Sequence, residues 1–185
     1  MNAKKVPQLF VSTGAAKWND PKNFPWTMGW QPSYQVEARI YAKYILQKYP
    51  GKTIGVLYQN DDFGKDYLIG LHDGLGDQAK KLIIVESSYE TSSPTVDSQI
   101  VQIKGANPDI FVNIATPKFA AQAIKKASEI GWMPLTIVNY VSSSISATIV
   151  PAGVDKAVGV VVATIVKDPN DKKWADRSEE RRVGK

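Results

Sequence analysis

The side chains that could do chemistry are few, and they exclude most catalytic sites. The 185-residue chain contains no cysteine and a single histidine, His72. Thiolates and clustered imidazoles are the ligands of most zinc and iron–sulfur sites, so these sites are excluded. A serine nucleophile needs a base and an orienting acid, and we interpret His72, in the middle of a predicted helix, as a surface or interhelical residue. The sequence therefore predicts no cofactor, no metal site and no enzyme.

Acidic residues directly after the first central strand offer a different chemistry. Asp61 and Asp62 stand in the sequence QNDDFG, where phosphoacceptor domains hold magnesium with carboxylates. Such a site also needs an aspartate at the end of the third strand, and Asn113 stands there instead. We therefore interpret Asp61 or Asp62 as the cap of the helix that begins near Phe63.

The elements that would position a site alternate along the chain. Apolar, β-branched runs predict five strands, and segments with helical spacing separate them. The predicted strands are residues 53–59, 81–90, 109–115, 135–141 and 157–166, and the predicted helices are residues 34–49, 63–79, 95–105 and 118–130. This alternation predicts an α/β fold with a doubly wound parallel sheet, a Rossmann-like lobe with helices on both faces.

The first predicted helix is amphipathic. Its apolar residues share one face, and we expect the opposite face to be solvated. The residues of that opposite face are Glu37, Arg39, Lys43 and Lys48.

The carboxyl ends of the predicted strands are the candidate binding site, because open α/β sheets bind ligands there. Neutral hydrogen-bonding and aromatic residues stand at these ends, namely Phe63, Thr116, Asn139 and Tyr140. They suit a small ligand held by a few polar contacts against an apolar wall. For Phe63 and Tyr140, packing in the core or at the rim is the open alternative.

Composition and charge argue against nucleic-acid and membrane partners. The net charge is +5, and the last nine residues, RSEERRVGK, supply +2 of it. The remaining lysines are scattered, whereas nucleic-acid recognition uses a dense basic stripe with interleaved aromatics. The longest uncharged apolar stretch, residues 157–166, is about half the roughly 20 residues of a membrane-spanning helix. The sequence therefore predicts neither nucleic-acid binding nor a membrane span.

Four stretches of the chain together resemble one family. They are VPQLFVSTGAAKW, FPWTMGWQPSYQVEARIYAKYILQKY, TIGVLYQNDDFGKDYLIGLHDGL and IVQIKGANPDIFVNIATPKFAAQAIKKASEIGW. Their content and order resemble the branched-chain amino-acid (Leu/Ile/Val) class of periplasmic solute-binding proteins of ABC transporters, over residues 4–176. The resemblance implies a type I periplasmic binding fold with two α/β lobes and three hinge crossings, of which this chain would be a fragment.

This resemblance divides the chain into four parts. Residues 1–30 would be the end of the first lobe with its hinge crossing, and residues 31–162 would be the second, ligand-binding lobe. Residues 163–176 would be the return crossing toward the first lobe, and residues 177–185 an unrelated tail. The signal peptide of a periplasmic protein would be missing from such a fragment.

The resemblance also assigns ligand contacts to the first lobe. Members of the family hold the ligand carboxylate there with main-chain amides and a hydroxyl. The corresponding residues in this chain are Ser12, Gly14, Ala15 and Ala16. Ala16 stands where a hydroxyl residue is usual.

On the second lobe, the corresponding residues are Phe63 and Thr116. Members that bind amino acids also place an acid near the end of the fourth strand, and this chain has Asn139 and Tyr140 there. A desolvated ammonium without a carboxylate partner loses a contact of about 1.5–3 kcal/mol. We therefore expect a ligand that has a carboxylate but no ammonium, with Phe63 and Tyr140 as its apolar wall.

The function implied by the resemblance is capture and delivery of a small solute. The protein would be the periplasmic substrate-binding component of an ABC importer. Its partners would be a small-molecule ligand, either an amino acid or an aromatic or aliphatic organic acid, and a membrane permease. The alternative is the ligand-sensing domain of a receptor or regulator with the same fold.

Overall fold

The computed structural model describes residues 1–166. Strands β1 (Gln8–Val11) and β2 (Thr27–Gly29) form a small parallel pair of their own. The larger sheet contains β3 (Ile54–Gln59), β4 (Ile83–Tyr89), β5 (Ile110–Ile114), β6 (Leu135–Val138) and β7 (Val161–Val162). Its order is β4-β3-β5-β6-β7, and every neighbouring pair is parallel.

Helices connect these strands and cover both faces of the larger sheet. They are α1 (Tyr34–Lys48), α2 (Asp62–Leu75), α3 (Ala79–Leu82), α4 (Asp97–Ala106), α5 (Pro117–Glu129) and the single turn α6 (Val150–Ala152). Alternate residues of β3 point to opposite faces, so Val56 packs with α1 and α2 while Leu57 packs with α4 and α5. The doubly wound parallel α/β architecture is confirmed.

Three predicted elements have clearly different bounds in the structure. The predicted strand 135–141 ends at Val138, and Tyr140–Ser142 form a 3₁₀ turn instead. The predicted helix 63–79 is interrupted at Gly76, whose φ of +56° ends α2 before a short turn and α3 begin. The predicted strand 157–166 pairs with β6 only at Val161 and Val162. Gly159 has a φ of +87°, which an extended strand does not accommodate, so the paired segment begins only after it. The predicted return crossing and tail lie mostly outside the described residues.

Helices α1 and α2 approach each other closely through glycine. A Cβ atom at Gly70 would lie closer than 3.0 Å to the backbone of Gln35, and one at Gly74 would meet the Cα of Arg39 and the Cβ of Ala42. The missing side chains let the two helix backbones touch. This contact packs the first half of α1 against the second half of α2.

Candidate functional site

An aromatic cluster joins the end of β6 to the starts of α1 and α2. The Tyr34 ring centre lies 5.1 Å from the ring centres of Phe63 and Tyr67, and 6.0 Å from that of Tyr140. Phe63 is 9% exposed and Tyr140 is 6% exposed. Both candidates therefore pack inside the lobe in this conformation, and their role as a ligand wall stays a prediction.

A buried carboxyl group lies beneath this cluster. Glu37 on α1 accepts hydrogen bonds from the Tyr67 hydroxyl (2.5 Å), the Tyr140 backbone N–H (2.8 Å) and the Tyr41 hydroxyl. Burial raises the pKa of Glu37 above its ordinary value, and the three hydrogen bonds oppose that shift. The expectation that Glu37 lies on the solvated face of its helix is wrong. It follows Tyr34 by three residues and precedes Tyr41 by four, so it shares their buried face.

Ser12 is linked to the end of β6 through one amide side chain. The Nε2 group of Gln31 donates to Ser12 Oγ (3.1 Å), and Gln31 Oε1 accepts from the Tyr140 hydroxyl (2.7 Å). Sequence reasoning missed Gln31. The only available signal was its place between the tryptophan-rich loop and the first helix, where the chain enters the lobe.

The segment that contains the other first-lobe candidates is tied to α1 and α2. The Gly14 carbonyl accepts from Tyr34 N–H (3.0 Å), and Ala15 is buried in the core. The Ala16 N–H donates to Asp66 Oδ2 (2.6 Å), while Asp66 Oδ1 accepts from the Gln35 amide (2.8 Å). The backbone amide that the resemblance assigns to a ligand carboxylate is thus bound to a carboxylate of the protein.

Thr116 lies in a separate hydrogen-bond network at the ends of β3, β4 and β5. Its N–H donates to the Tyr89 hydroxyl (3.1 Å), which donates to Gln59 Oε1 (2.9 Å). Gln59 Nε2 donates to Asp61, and Asp61 also accepts from Gly64 N–H (3.2 Å). The predicted capping role of Asp61 is confirmed, and Thr116 is half-buried at the same edge.

Asn139 is an internal residue. It is 1% exposed, and its Nδ2 group donates to the carbonyls of Asn113 (3.0 Å) and Ala115 (2.9 Å). These bonds join the ends of β5 and β6. The structure therefore connects Ser12, Phe63 and Tyr140 through shared partners, whereas the Asn139 side chain is bound to the backbone at the end of β5.

Other chemistry is sparse in the part of the chain that the structure describes. His72 lies at the surface, with Nε2 2.5 Å from Glu86 Oε1. Residues 1–166 contain no group of three or more histidine, aspartate and glutamate side chains that could hold a metal ion. No helix in this range combines the length and the apolar character needed to cross a bilayer.

A family model described as periplasmic binding protein matches residues 1–183. The chain belongs to the periplasmic binding protein family. No curated protein sequence is significantly similar to the chain. The family, like its solved members below, consists of binding proteins rather than enzymes.

Solved structures of periplasmic binding proteins share this fold at low sequence identity. A substrate-binding periplasmic protein from Ralstonia solanacearum is 22% identical, with a TM-score of 0.81 over 99% of this chain and 52% of its own. A branched-chain amino acid ABC transporter protein from Thermus thermophilus, with bound valine, is 16% identical, with a TM-score of 0.78 over 100% of this chain and 48% of its own. A fatty acid ABC transporter substrate-binding protein from Thermomonospora curvata is 18% identical, with a TM-score of 0.73 over 98% of this chain and 47% of its own. The chain spans about half the length of these periplasmic binding proteins.

Proposed function

We propose that the complete protein containing this chain is the periplasmic substrate-binding component of an ABC importer. It captures a small carboxylate-bearing solute and delivers it to a membrane permease. The observation that carries this proposal is the match of the periplasmic binding protein family to residues 1–183. The doubly wound lobe, with its candidate residues at the carboxyl ends of the strands, supports it.

The proposed mechanism is closure of two lobes around the ligand. Residues 1–30 belong to the first lobe and residues 31–162 to the second, consistent with the separate β1–β2 pair and five-stranded sheet. Gln31 and Tyr34 lie where the chain passes between them, and both hydrogen-bond to the first-lobe segment. Ligand binding shifts the population toward the closed arrangement, which the permease recognises.

The proposed ligand carries a carboxylate and no ammonium. An ammonium needs an acidic partner when it is desolvated. Three acids near the candidate residues, Glu37, Asp61 and Asp66, already accept hydrogen bonds from the protein. A ligand carboxylate that used the Ala16 amide would replace Asp66 there. Aromatic and aliphatic carboxylates therefore fit this edge better than a branched-chain amino acid.

Calorimetric and thermal-shift titration of the complete gene product tests this proposal. The ligands are leucine, isoleucine, valine, benzoate and a medium-chain carboxylate. We expect selective binding of an acid that lacks an ammonium. Tight binding of leucine would refute the ligand class but keep the transport function. A lack of binding across the panel would favour the ligand-sensing alternative.

A matched pair of variants locates the binding edge. Thr116→Val removes a half-buried hydroxyl at the end of β5, and we expect it to weaken binding of the preferred ligand by about tenfold, the effect of one lost hydrogen bond. Thr91→Val makes the same change in an exposed loop and leaves the affinity unchanged. Equal affinities for both variants would place the ligand away from Thr116.

A further inference from the structure

The Glu37 carboxyl group joins three parts of the lobe. It lies on α1, and its hydrogen-bond donors are Tyr41 on the same helix, Tyr67 on α2 and Tyr140 just after β6. The group is buried, so these protein donors replace the water that it would otherwise bind. None of the contacts proposed for the ligand involves Glu37 itself.

The contact with Tyr140 differs from the other two. Tyrosine hydroxyls rotate and also accept hydrogen bonds, whereas a backbone N–H only donates. The Tyr140 N–H donates to Glu37 Oε1 at 2.8 Å, in a buried position two residues after β6 ends at Val138. Without an acceptor there, the buried N–H would be unsatisfied, and the backbone would have to move to find another partner.

The other end of Tyr140 connects to the chain crossing. Its hydroxyl donates to Gln31 Oε1 (2.7 Å), and Gln31 Nε2 donates to Ser12 Oγ (3.1 Å). A continuous series of hydrogen bonds therefore runs from Glu37 through Tyr140 and Gln31 to Ser12. A displacement of the Tyr140 backbone would move both of the candidate ligand contacts in this series.

We propose that Glu37 is a positioning residue for ligand binding, which holds the Tyr140 backbone in place and thereby places Tyr140 and Ser12 for the ligand. The inference rests on the proposed function, because only that function gives Tyr140 and Ser12 a ligand. Glu37 does not touch the ligand. Its role is distinct from general stabilisation, because it acts through one backbone N–H.

The test compares three variants of the complete gene product. Glu37→Gln keeps an oxygen that can accept from Tyr140. The combined variant Glu37→Leu, Tyr67→Phe removes this acceptor together with the Tyr67 hydroxyl that would otherwise be stranded, while the Tyr41 hydroxyl keeps its contact with the Val138 carbonyl (3.2 Å). Tyr67→Phe is the matched control, because it removes one hydrogen bond to the same carboxyl group but leaves the Tyr140 contact intact.

Two measurements give the outcome. Hydrogen exchange of the Tyr140 amide, followed by NMR, should be at least about tenfold faster in the combined variant, and should stay within about threefold of wild type in Glu37→Gln and Tyr67→Phe. Calorimetric affinities for leucine and for benzoate should follow the same ranking, with a loss of about tenfold only in the combined variant.

The inference and the proposed function fail in different ways. Unchanged Tyr140 exchange in the combined variant overturns the positioning role, as does an equal loss of affinity in Tyr67→Phe. If wild type binds neither leucine nor benzoate, the ligand proposal loses its support, and the exchange data still decide whether Glu37 holds the Tyr140 amide.

Discussion

Glu37 and its tyrosines influence one another's protonation. Burial is the main cause that raises the pKa values of Glu37, Tyr41 and Tyr67, and the proximity of the Glu37 charge raises those of both phenols further. Each group therefore favours its neutral form more strongly in the folded chain than in water. The pKa of Asp109, which lies on the surface, shifts in the opposite direction. Hydrogen bonds from Thr53 and the charge of Lys52 lower its pKa.

The raised pKa of Glu37 predicts a pH-dependent stability. The folded chain binds the Glu37 carboxyl proton more tightly than the unfolded chain. The contribution of this protonation to the free energy of unfolding is therefore fully present below the ordinary pKa of 4.5. It is lost as the pH rises through the folded pKa. The free energy of unfolding of wild type relative to Glu37→Gln should therefore decrease as the pH rises above the ordinary pKa of 4.5, measured by denaturant titration.

Asp109→Asn provides the control with the opposite sign. Because the pKa of Asp109 is lowered, its contribution is present above the ordinary value of 3.8 and is lost as the pH falls through the folded pKa. If the difference in free energy of unfolding between wild type and Glu37→Gln does not vary with pH, the raised pKa assigned to Glu37 would be contradicted.

At the level of elements, a glycine-to-alanine substitution should have opposite effects on stability inside and outside the contact between α1 and α2. Gly70→Ala should lower the free energy of unfolding by about 1–3 kcal/mol, because the new Cβ would collide with the Gln35 backbone. Gly105 lies in α4 with open space around it. Gly105→Ala should therefore raise the free energy of unfolding by about 0.5–1 kcal/mol through helix propensity. Thermal or denaturant unfolding measures both, and a stabilising Gly70→Ala would show that the helices can separate at low cost.

Local patterns in the sequence were sufficient to predict most helices and strands, but not the contacts between them. The runs that form β3 and β5 are apolar except for Gln59 and Asn113, so the burial of these strands was predictable from their composition. The burial of Glu37 could have been inferred from its spacing to Tyr34 and Tyr41, but its contact with Tyr140 could not, because Tyr140 is 103 residues away along the chain. The contact between Ala16 and Asp66 likewise joins segments 50 residues apart. Such partners are set by how the elements pack, which no local spacing encodes.

At the level of the whole molecule, the first 30 residues differ from the rest of the described chain. The small β1–β2 pair exposes large apolar side chains, whereas the five-stranded sheet is covered by helices. These exposed residues are Leu9, Phe10, Trp26, Met28 and Trp30. Clustered apolar surface of this kind marks a place where another part of a protein packs.

We expect this surface to bind a hydrophobic dye. The 185-residue chain alone should enhance the fluorescence of anilinonaphthalene sulfonate. If the complete gene product contains the proposed first lobe, it should do so much less, since that lobe would cover the surface. Met28→Gln should reduce the signal of the 185-residue chain. Met133→Gln, at a similarly exposed position elsewhere, serves as the control. Equal dye binding by both proteins would show that the surface stays open.

Two of the five tryptophans lie in contrasting environments. Trp132 is 6% exposed and packs against Phe111, with ring centres 5.2 Å apart, in the core between the sheet and α4 and α5. Trp30 is 66% exposed and immediately precedes Gln31. Because indole emission moves to longer wavelength in water, the two residues emit in different parts of the spectrum. Variants that keep only Trp132 or only Trp30 would therefore report separately on the interior of the lobe and on the segment beside Gln31.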